Sequence, residues 1–247
     1  MTRLGQSAPY WLDPNERTVF PDVSEALTEP DGLLAIGGDL SPERLLAAYR
    51  RGIFPWYSRG QPILWWSPNP RAILRLTALK VSRSLRKALK RRDYVVRFDS
   101  AFDKVIYECA RPRQDGLGTW ITDEMGYAYS RLHKLGYAHS IEVWQDDQLV
   151  GGLYGVSLGK LFFGESMFSR RSDASKIAFV YLVRQLAKWH FAFIDCQVYS
   201  EHLGSLGAEM ISRERFIGYL DNYCDKPGKV GNWECDLTLE EVLLKHE

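Results

Sequence analysis

Three β-rich runs follow one another almost without interruption: HSIEVWQ at 139–145, QLVGGLYGVSL at 148–158 and KLFFGESMF at 160–168. Only Asp146 and Asp147 separate the first two, and only Gly159 separates the second pair. A parallel pair of strands needs a crossover of a dozen residues or more, whereas joins this short close antiparallel hairpins. The spacing therefore predicts a consecutive antiparallel meander. Behind it, SDASKIAFVYLVRQLAKWH carries apolar residues at helical period with Ser172 or Asp173 as its cap, and FAFIDCQVY reads as a further strand.

The other segments fit around that meander. RAILRL and YVVRFD read as strands on either side of a strongly basic helix, KVSRSLRKALKRRD. AFDKVIYECA and TDEMGYAYSRLHKLG read as helices, and SRERFIGYLDNY as the closing one. Strands and helices mixed in this way make an α+β domain. The order meander, long helix, strand, helix is similar to the GNAT-type (acetyltransferase) fold, with a mixed, largely antiparallel sheet. Ahead of it, GGDLSPERLLAAYRRG has Ser41 as a helix cap, Pro42 at the first helical position and Gly52 after a basic last turn. EPDGLLAIGGD reads as a glycine-rich apolar loop without the Lys-Ser/Thr of a phosphate loop. FPWYSRGQPILWWSP, residues 54–68, holds five aromatics, and Pro55, Pro62 and Pro68 each remove a backbone donor. That stretch is expected to form neither strand nor helix. It is either a hydrophobic plug for a core or a rigid platform of flat rings. The division expected is a small N-terminal domain, residues 1–70, followed by a GNAT-like domain, residues 71–247.

With 247 residues the chain has room for an ample core, and 45% hydrophobic with 26% charged residues is an ordinary globular composition. No apolar run approaches the roughly 20 residues of a bilayer span, so no membrane partner is expected. The opening MTRLGQSAPYWLDPNERTVF is polar and proline-broken, unlike a signal peptide. Cys109, Cys196, Cys224 and Cys235 show no C-x-x-C spacing, which argues against a metal site and for reduced thiols in the cytoplasm. Charge is unevenly spread: residues 1–100 carry 16 Lys and Arg against 10 Asp and Glu, and residues 101–247 carry 16 against 21. Such a chain can offer one face to a polyanion and keep an acidic pocket elsewhere.

IDCQ places Asp195 and Gln197 two residues apart on an apolar strand, hence on one face, where two polar groups need a partner or a purpose. Glu165, in GES, ends the strand before the long helix, and pairing of the two strands would bring the three side chains into one cleft. The alternative is that Asp195 and Gln197 pin a neighbouring loop. Coenzyme A binding in a GNAT domain uses Q/R-x-x-G-x-G/A between strand and helix. RQDGLG at 113–118 has those letters in the wrong context, and the loop SRRSDASK has no glycine. Lys80, Arg83, Arg86, Lys87, Lys90, Arg91 and Arg92 crowd the basic helix without interleaved acids until Asp93, which suggests phosphate binding. Cations for phosphate and flat rings for unstacked bases are what RNA recognition uses, provided both lie on one side of the molecule.

GLLAIGGDLSPERLLAAYRRGIFPW, ILWWSPNPRA, GTWIT, HSIEVW, GESMFS, ASK and IDCQV together resemble one family, the leucyl/phenylalanyl-tRNA–protein transferases. The resembling stretches run from about residue 32 to about residue 208, and the tail after Tyr223 lies beyond them. The resemblance implies a GNAT-like domain working without coenzyme A or any other cofactor. It implies transfer of Leu or Phe from aminoacyl-tRNA to proteins with N-terminal Arg or Lys, which creates a degradation signal. In that reading Asp195 holds Gln197, whose amide oxygen accepts a hydrogen bond from the attacking amine, and Glu165 orients the aminoacyl end or the amine. Leu153, Met167 and Leu182 would line the amino-acid pocket, Trp56 and Trp120 would pack around the terminal adenosine, and Arg83, Arg86, Lys87, Lys90 and Arg91 would hold tRNA. Ester aminolysis fits such a site, since it needs positioning and proton management rather than a metal. A coenzyme A-dependent N-acyltransferase and a non-catalytic RNA-binding module are the competing readings. If Asp195 polarises Gln197 by its charge, Asp195→Asn should cut transfer by orders of magnitude and leave the melting temperature nearly unchanged.

Overall fold

The computed structural model describes residues 8–91, 93–111 and 121–244. The N-terminal part is a four-stranded sheet in the order β1-β2-β4-β3. Its strands are β1 (Tyr10–Leu12), β2 (Leu33–Gly37), β3 (Phe54–Pro55) and β4 (Leu64–Trp66), with helix α1 (Pro42–Arg50) between β2 and β3. Ser41 caps α1 as expected, its Oγ accepting the Arg44 N–H. Two expectations need correction here: EPDGLLAIGGD supplies β2, and the tryptophan stretch supplies β3 and β4. The prolines do not prevent this because of where they fall. Pro55 ends an edge strand, where a missing donor is tolerated, while Pro62 precedes β4 and Pro68 follows it.

From Arg71 onward the chain builds a seven-stranded sheet in the order β11-β5-β10-β9-β8-β7-β6. The strands are β5 (Arg71–Arg75), β6 (Val95–Phe98), β7 (Ala138–Gln145), β8 (Gln148–Leu158), β9 (Leu161–Ser169), β10 (Phe193–Gln197) and β11 (Glu209–Ile211). The helices are α2 (Arg83–Leu89), α3 (Phe102–Ala110), α4 (Asp123–Lys134), α5 (Ala174–Lys188), α6 (Glu201–Ser205), α7 (Arg213–Tyr223) and α8 (Leu239–Leu243). The predicted meander is β7-β8-β9. All neighbours are antiparallel except β9 and β10, which run parallel and are bridged by α5. This is an α+β arrangement, with meander, long helix, strand and helix in the expected order. The parallel pairing is short: Phe193–Asp195 pair with Leu161–Phe163, and the two strands then part.

The sheet separates two cores. On one face, Leu45 and Tyr49 of α1, Val105 of α3, Met125 and Tyr129 of α4 and Phe216 of α7 pack with Trp65. On the other, Leu85 and Leu89 of α2, most of α5 and Val242 of α8 pack with Trp233. The basic helix is therefore shorter than expected, and it lies on the sheet face opposite the tryptophan stretch. The closing element also differs from expectation. Beyond α7 the tail runs on to α8, and its fully buried Trp233 stacks on His139 with ring centroids 3.7 Å apart. Asp173 stands at the head of α5 in the left-handed region, φ 65°, but its side chain makes no capping bond.

Candidate active site

Two β-bulges fall where β9 and β10 part. In β9, Ser166 pairs with Tyr154 and Gly164 with Gly155, which leaves Glu165 as the extra residue. In β10, Asp195 pairs with Ile73 and Gln197 with Ala72, which leaves Cys196 over. Bulges re-aim side chains beside active sites, and here they break the strict alternation that a regular strand would impose. Gln197 takes a left-handed backbone, φ 62°. Its side-chain Nε2 donates to Glu165 Oε1 at 2.8 Å. The β9 bulge requires glycine opposite it, because a Cβ at Gly155 would collide with the Phe163 carbonyl oxygen and the Phe162 ring.

Glu165 is almost fully enclosed. The Tyr49 hydroxyl donates to its Oε1 at 2.8 Å and the Tyr129 hydroxyl to its Oε2 at 2.7 Å. The two phenol oxygens stand 2.6 Å from each other. Burial pushes the Glu165 carboxyl up to about 7, against the pull of the tyrosine hydrogen bonds and with help from the Asp195 charge. Burial likewise raises Tyr49, Tyr129 and Tyr154 well above the usual phenol range, with the Glu165 charge adding to it. Tyr154 brings a third phenol, whose oxygen has no hydrogen-bond partner.

Asp195 does not join this group directly. It is fully buried and grips Arg71 in a bidentate pair, Nε to Oδ1 at 2.9 Å and Nη2 to Oδ2 at 2.7 Å. Arg71 also donates to the Gly52 carbonyl at 3.1 Å, and its guanidinium lies 4.7 Å from the ring centres of both Phe54 and Phe216. The expectation that all three polar side chains converge on one cleft is corrected accordingly. Asp195 reaches Gln197 through the backbone, its Oδ1 accepting the Gln197 N–H at 2.9 Å. That bond holds Gln197 in its unusual conformation while the side chain turns to Glu165.

Glu165 and Gln197 line a cavity of about 460 Å³ between α5 and the parted strands, within the range of small-molecule sites. Leu153, Met167 and Leu182 line it as well, together with Phe162, Phe179 and Ile194. Its outer part is more polar, with Ser166, Ser169, Ser200 and His202. Among the described residues no group of His, Cys, Asp and Glu is arranged to hold a metal ion.

The sequence profile of the leucyl/phenylalanyl-tRNA protein transferase family matches residues 73–221, and that of the family's N-terminal domain matches residues 38–69. This chain belongs to that family. Relatives bearing the name leucyl/phenylalanyl-tRNA–protein transferase include that of Aromatoleum aromaticum, 58% identical over 91% of this chain and 94% of the relative. That of Cellvibrio japonicus is 59% identical over 88% of this chain and 92% of the relative. Among solved structures, a GCN5-related N-acetyltransferase from Kribbella flavida aligns at 10% identity and a TM-score of 0.34, covering 68% of this chain and 60% of that one.

The remaining candidate residues of this transferase-family chain are scattered. Of the three tryptophans in the proline-rich stretch, Trp65 is fully buried and donates to the Gly37 carbonyl at 2.9 Å. Trp66 braces the loop by donating to the Trp56 carbonyl at 2.7 Å. Trp56 alone is exposed, at 44%. The plug reading thus holds for Trp65, while Trp56 leaves a ring open to solvent. Trp120 and RQDGLG lie outside the described residues. Arg83, Lys87, Lys90 and Arg91 are exposed, whereas Arg86 is half-buried and donates to the Leu243 carbonyl at 2.7 Å. Tyr49, Tyr129 and Arg71 were missed by sequence reasoning. The available signal was chemical: a phenol on the apolar face of a helix, or an arginine opening a buried strand, each needs a partner.

Proposed function

We propose that this chain transfers Leu or Phe from an aminoacyl-tRNA to the α-amino group of proteins that begin with Arg or Lys, marking them for degradation. Membership of the transferase family makes it an aminoacyltransferase, and the relatives' name does not favour the coenzyme A-dependent alternative. The observation that carries the reading is the meeting of Glu165 and Gln197 at an apolar cavity. The Leu or Phe side chain enters among Leu153, Met167 and Leu182. Apolar pockets discriminate by only about 1–3 kcal/mol per methylene, which suits a site accepting both. Because Gln197 gives its Nε2 to Glu165, its amide oxygen is left to accept a hydrogen bond from the attacking amine. Asp195 acts behind it as a positioning residue. Trp56 stacks on the terminal adenosine; since α2 lies on the opposite face of the sheet, the two do not form one binding surface. Arg83, Lys87, Lys90 and Arg91 meet phosphates of a more distant part of the same tRNA, with Arg86 partly engaged by the chain itself. A boundary between the two units near residue 70 belongs to the same reading. Charged tRNA as substrate fits the cytoplasm. Among the described residues no helix is long and apolar enough to cross a membrane.

The test is incubation of the full chain with radiolabelled Phe-tRNA and a peptide beginning with Arg. Label appearing on the peptide supports the reading. Retention of tRNA without transfer would make the chain a binding module, and acetyl-CoA-dependent modification of the peptide would make it an acetyltransferase.

A further inference from the structure

The side chains of Tyr49, Tyr129 and Glu165 form a closed triangle of short oxygen contacts, 2.6 Å between the phenols, 2.8 Å from Tyr49 to Oε1 and 2.7 Å from Tyr129 to Oε2. Each hydrogen bond requires one proton between its oxygens. Two phenols supply two, and an ionised carboxylate supplies none. With Glu165 ionised, one side of the triangle therefore has lone pairs facing each other. A protonated Glu165 supplies the missing proton. All three groups then donate in one sense, Glu165 to Tyr49, Tyr49 to Tyr129 and Tyr129 back to Glu165, while Gln197 Nε2 still donates to Oε1.

The surroundings do not oppose a neutral acid. From β8 comes Tyr154, and from β10 come Asp195, whose charge is already paired with Arg71 of β5, and the half-buried Cys196 thiol. His202 of α6 stands at the polar part of the cavity. Among the described residues no Lys, Arg or His forms an ion pair with Glu165. Burial of the carboxyl acts in the same direction as the proton count.

We propose that this ring is the proton store of the transfer reaction: Glu165 takes up the proton that the attacking ammonium must lose, and Tyr49 and Tyr129 are the positioning residues whose hydrogen bonds hold the protonated carboxyl. The inference rests on the aminoacyl-transfer reading above. An ammonium and an ester become an amide and an alcohol with release of one proton overall. The first proton passes from the ammonium to the Glu165 carboxylate and fills the ring. The free amine then attacks the ester carbonyl, forming the C–N bond. As the C–O bond to the 3′ oxygen breaks, a second proton moves from nitrogen to that oxygen. Glu165 afterwards returns its proton to water, and the ring is empty again.

Infrared difference spectra of the substrate-free full chain, wild type against Glu165→Gln, test the ring from about pH 5 to about pH 9. A protonated-carboxyl band is expected at the acid end that is missing in Glu165→Gln and disappears as pH rises. The wild-type single-turnover transfer rate should climb with the same midpoint. Tyr129→Phe, with Tyr49→Phe as the second variant, should move the spectroscopic and kinetic midpoints together. Transfer without any Glu165-dependent band would overturn the ring, as would a kinetic midpoint that stays while the band moves. The band without transfer to any Arg- or Lys-peptide would instead overturn the transfer reading and with it the ring's part in it.

Discussion

Replacing Asp195 by Asn keeps volume and one oxygen but removes the charge that Arg71 faces across two hydrogen bonds of 2.9 and 2.7 Å. Asp195 is fully buried and Arg71 is only 1% exposed, so water cannot compensate. The new amide also sets an N–H against a guanidinium N–H if its oxygen stays with Gln197. Breaking one side of a buried pair costs about 3–5 kcal/mol. For a chain of this size that corresponds to a fall in melting temperature of roughly 6–20 °C. The structure thus reverses the expectation that Asp195→Asn is thermally silent. It also changes the expected kinetics. The carboxylate is neutralised by Arg71 and touches only the Gln197 backbone, so Asn, which can still accept that N–H, should lower transfer by less than about tenfold, under about 1.4 kcal/mol of barrier. Asp195→Ala removes the acceptor that holds Gln197 at φ 62° and should cost about 100-fold or more, upwards of about 2.7 kcal/mol. Thermal melts and single-turnover transfer well below the melting point separate the two effects. Arg71→Met combined with Asp195→Asn removes both charges and should recover most of the stability. An Asn variant that melts with the wild type would refute the pairing argument. One that stays folded yet transfers a hundredfold more slowly would restore a direct electrostatic role to the Asp195 charge.

Charge reversal at Arg83, Lys87 and Arg91 should weaken tRNA binding and lower its log–log salt slope by about one for each phosphate pairing removed, while a minimal aminoacyl-adenosine donor reacts as before. Equal damage with both donors would make α2 purely structural. A Glu165 carboxyl raised to about 7 from its ordinary 4.5 favours the proton-binding folded state, so the stability it contributes is full at low pH and fades as pH rises through about 7. Urea unfolding near pH 5 and pH 8 should show a fall of at most about 3 kcal/mol in the wild type that is missing in Glu165→Gln. Leu182→Phe fills part of the 460 Å³ cavity and should lower kcat/KM for Phe-tRNA about tenfold or more relative to Leu-tRNA; an unchanged ratio would take Leu182 out of the amino-acid pocket.

Local pattern was enough for the meander, because joins of one and two residues permit little else, and for α1 and α5, whose apolar period and flanking residues lie within a few turns. It was enough to single out Glu165, Asp195 and Gln197, since polar residues in apolar strands stand out in any sequence. How they are arranged was not legible. A period of two puts Asp195 and Gln197 on one face, but the Cys196 bulge cancels that period, and a bulge is set by the register of a partner strand far away in sequence. Prolines forbade a ladder in the tryptophan stretch only if each needed a donor there, and the edge position of β3 removed that need. The partners of the site come from still farther: Arg71 lies 124 residues from Asp195, and Tyr49 lies 116 from Glu165. Which sheet face each helix covers is likewise a matter of chain path, and it set the basic helix and Trp56 on opposite sides. The order of residues was sufficient for the elements with a strong local pattern, but not for the short strands β1 to β4, and for which polar groups must be satisfied. Who satisfies them was settled by folding, because burial, register and the loss of water around a charge arise when distant segments close on one another.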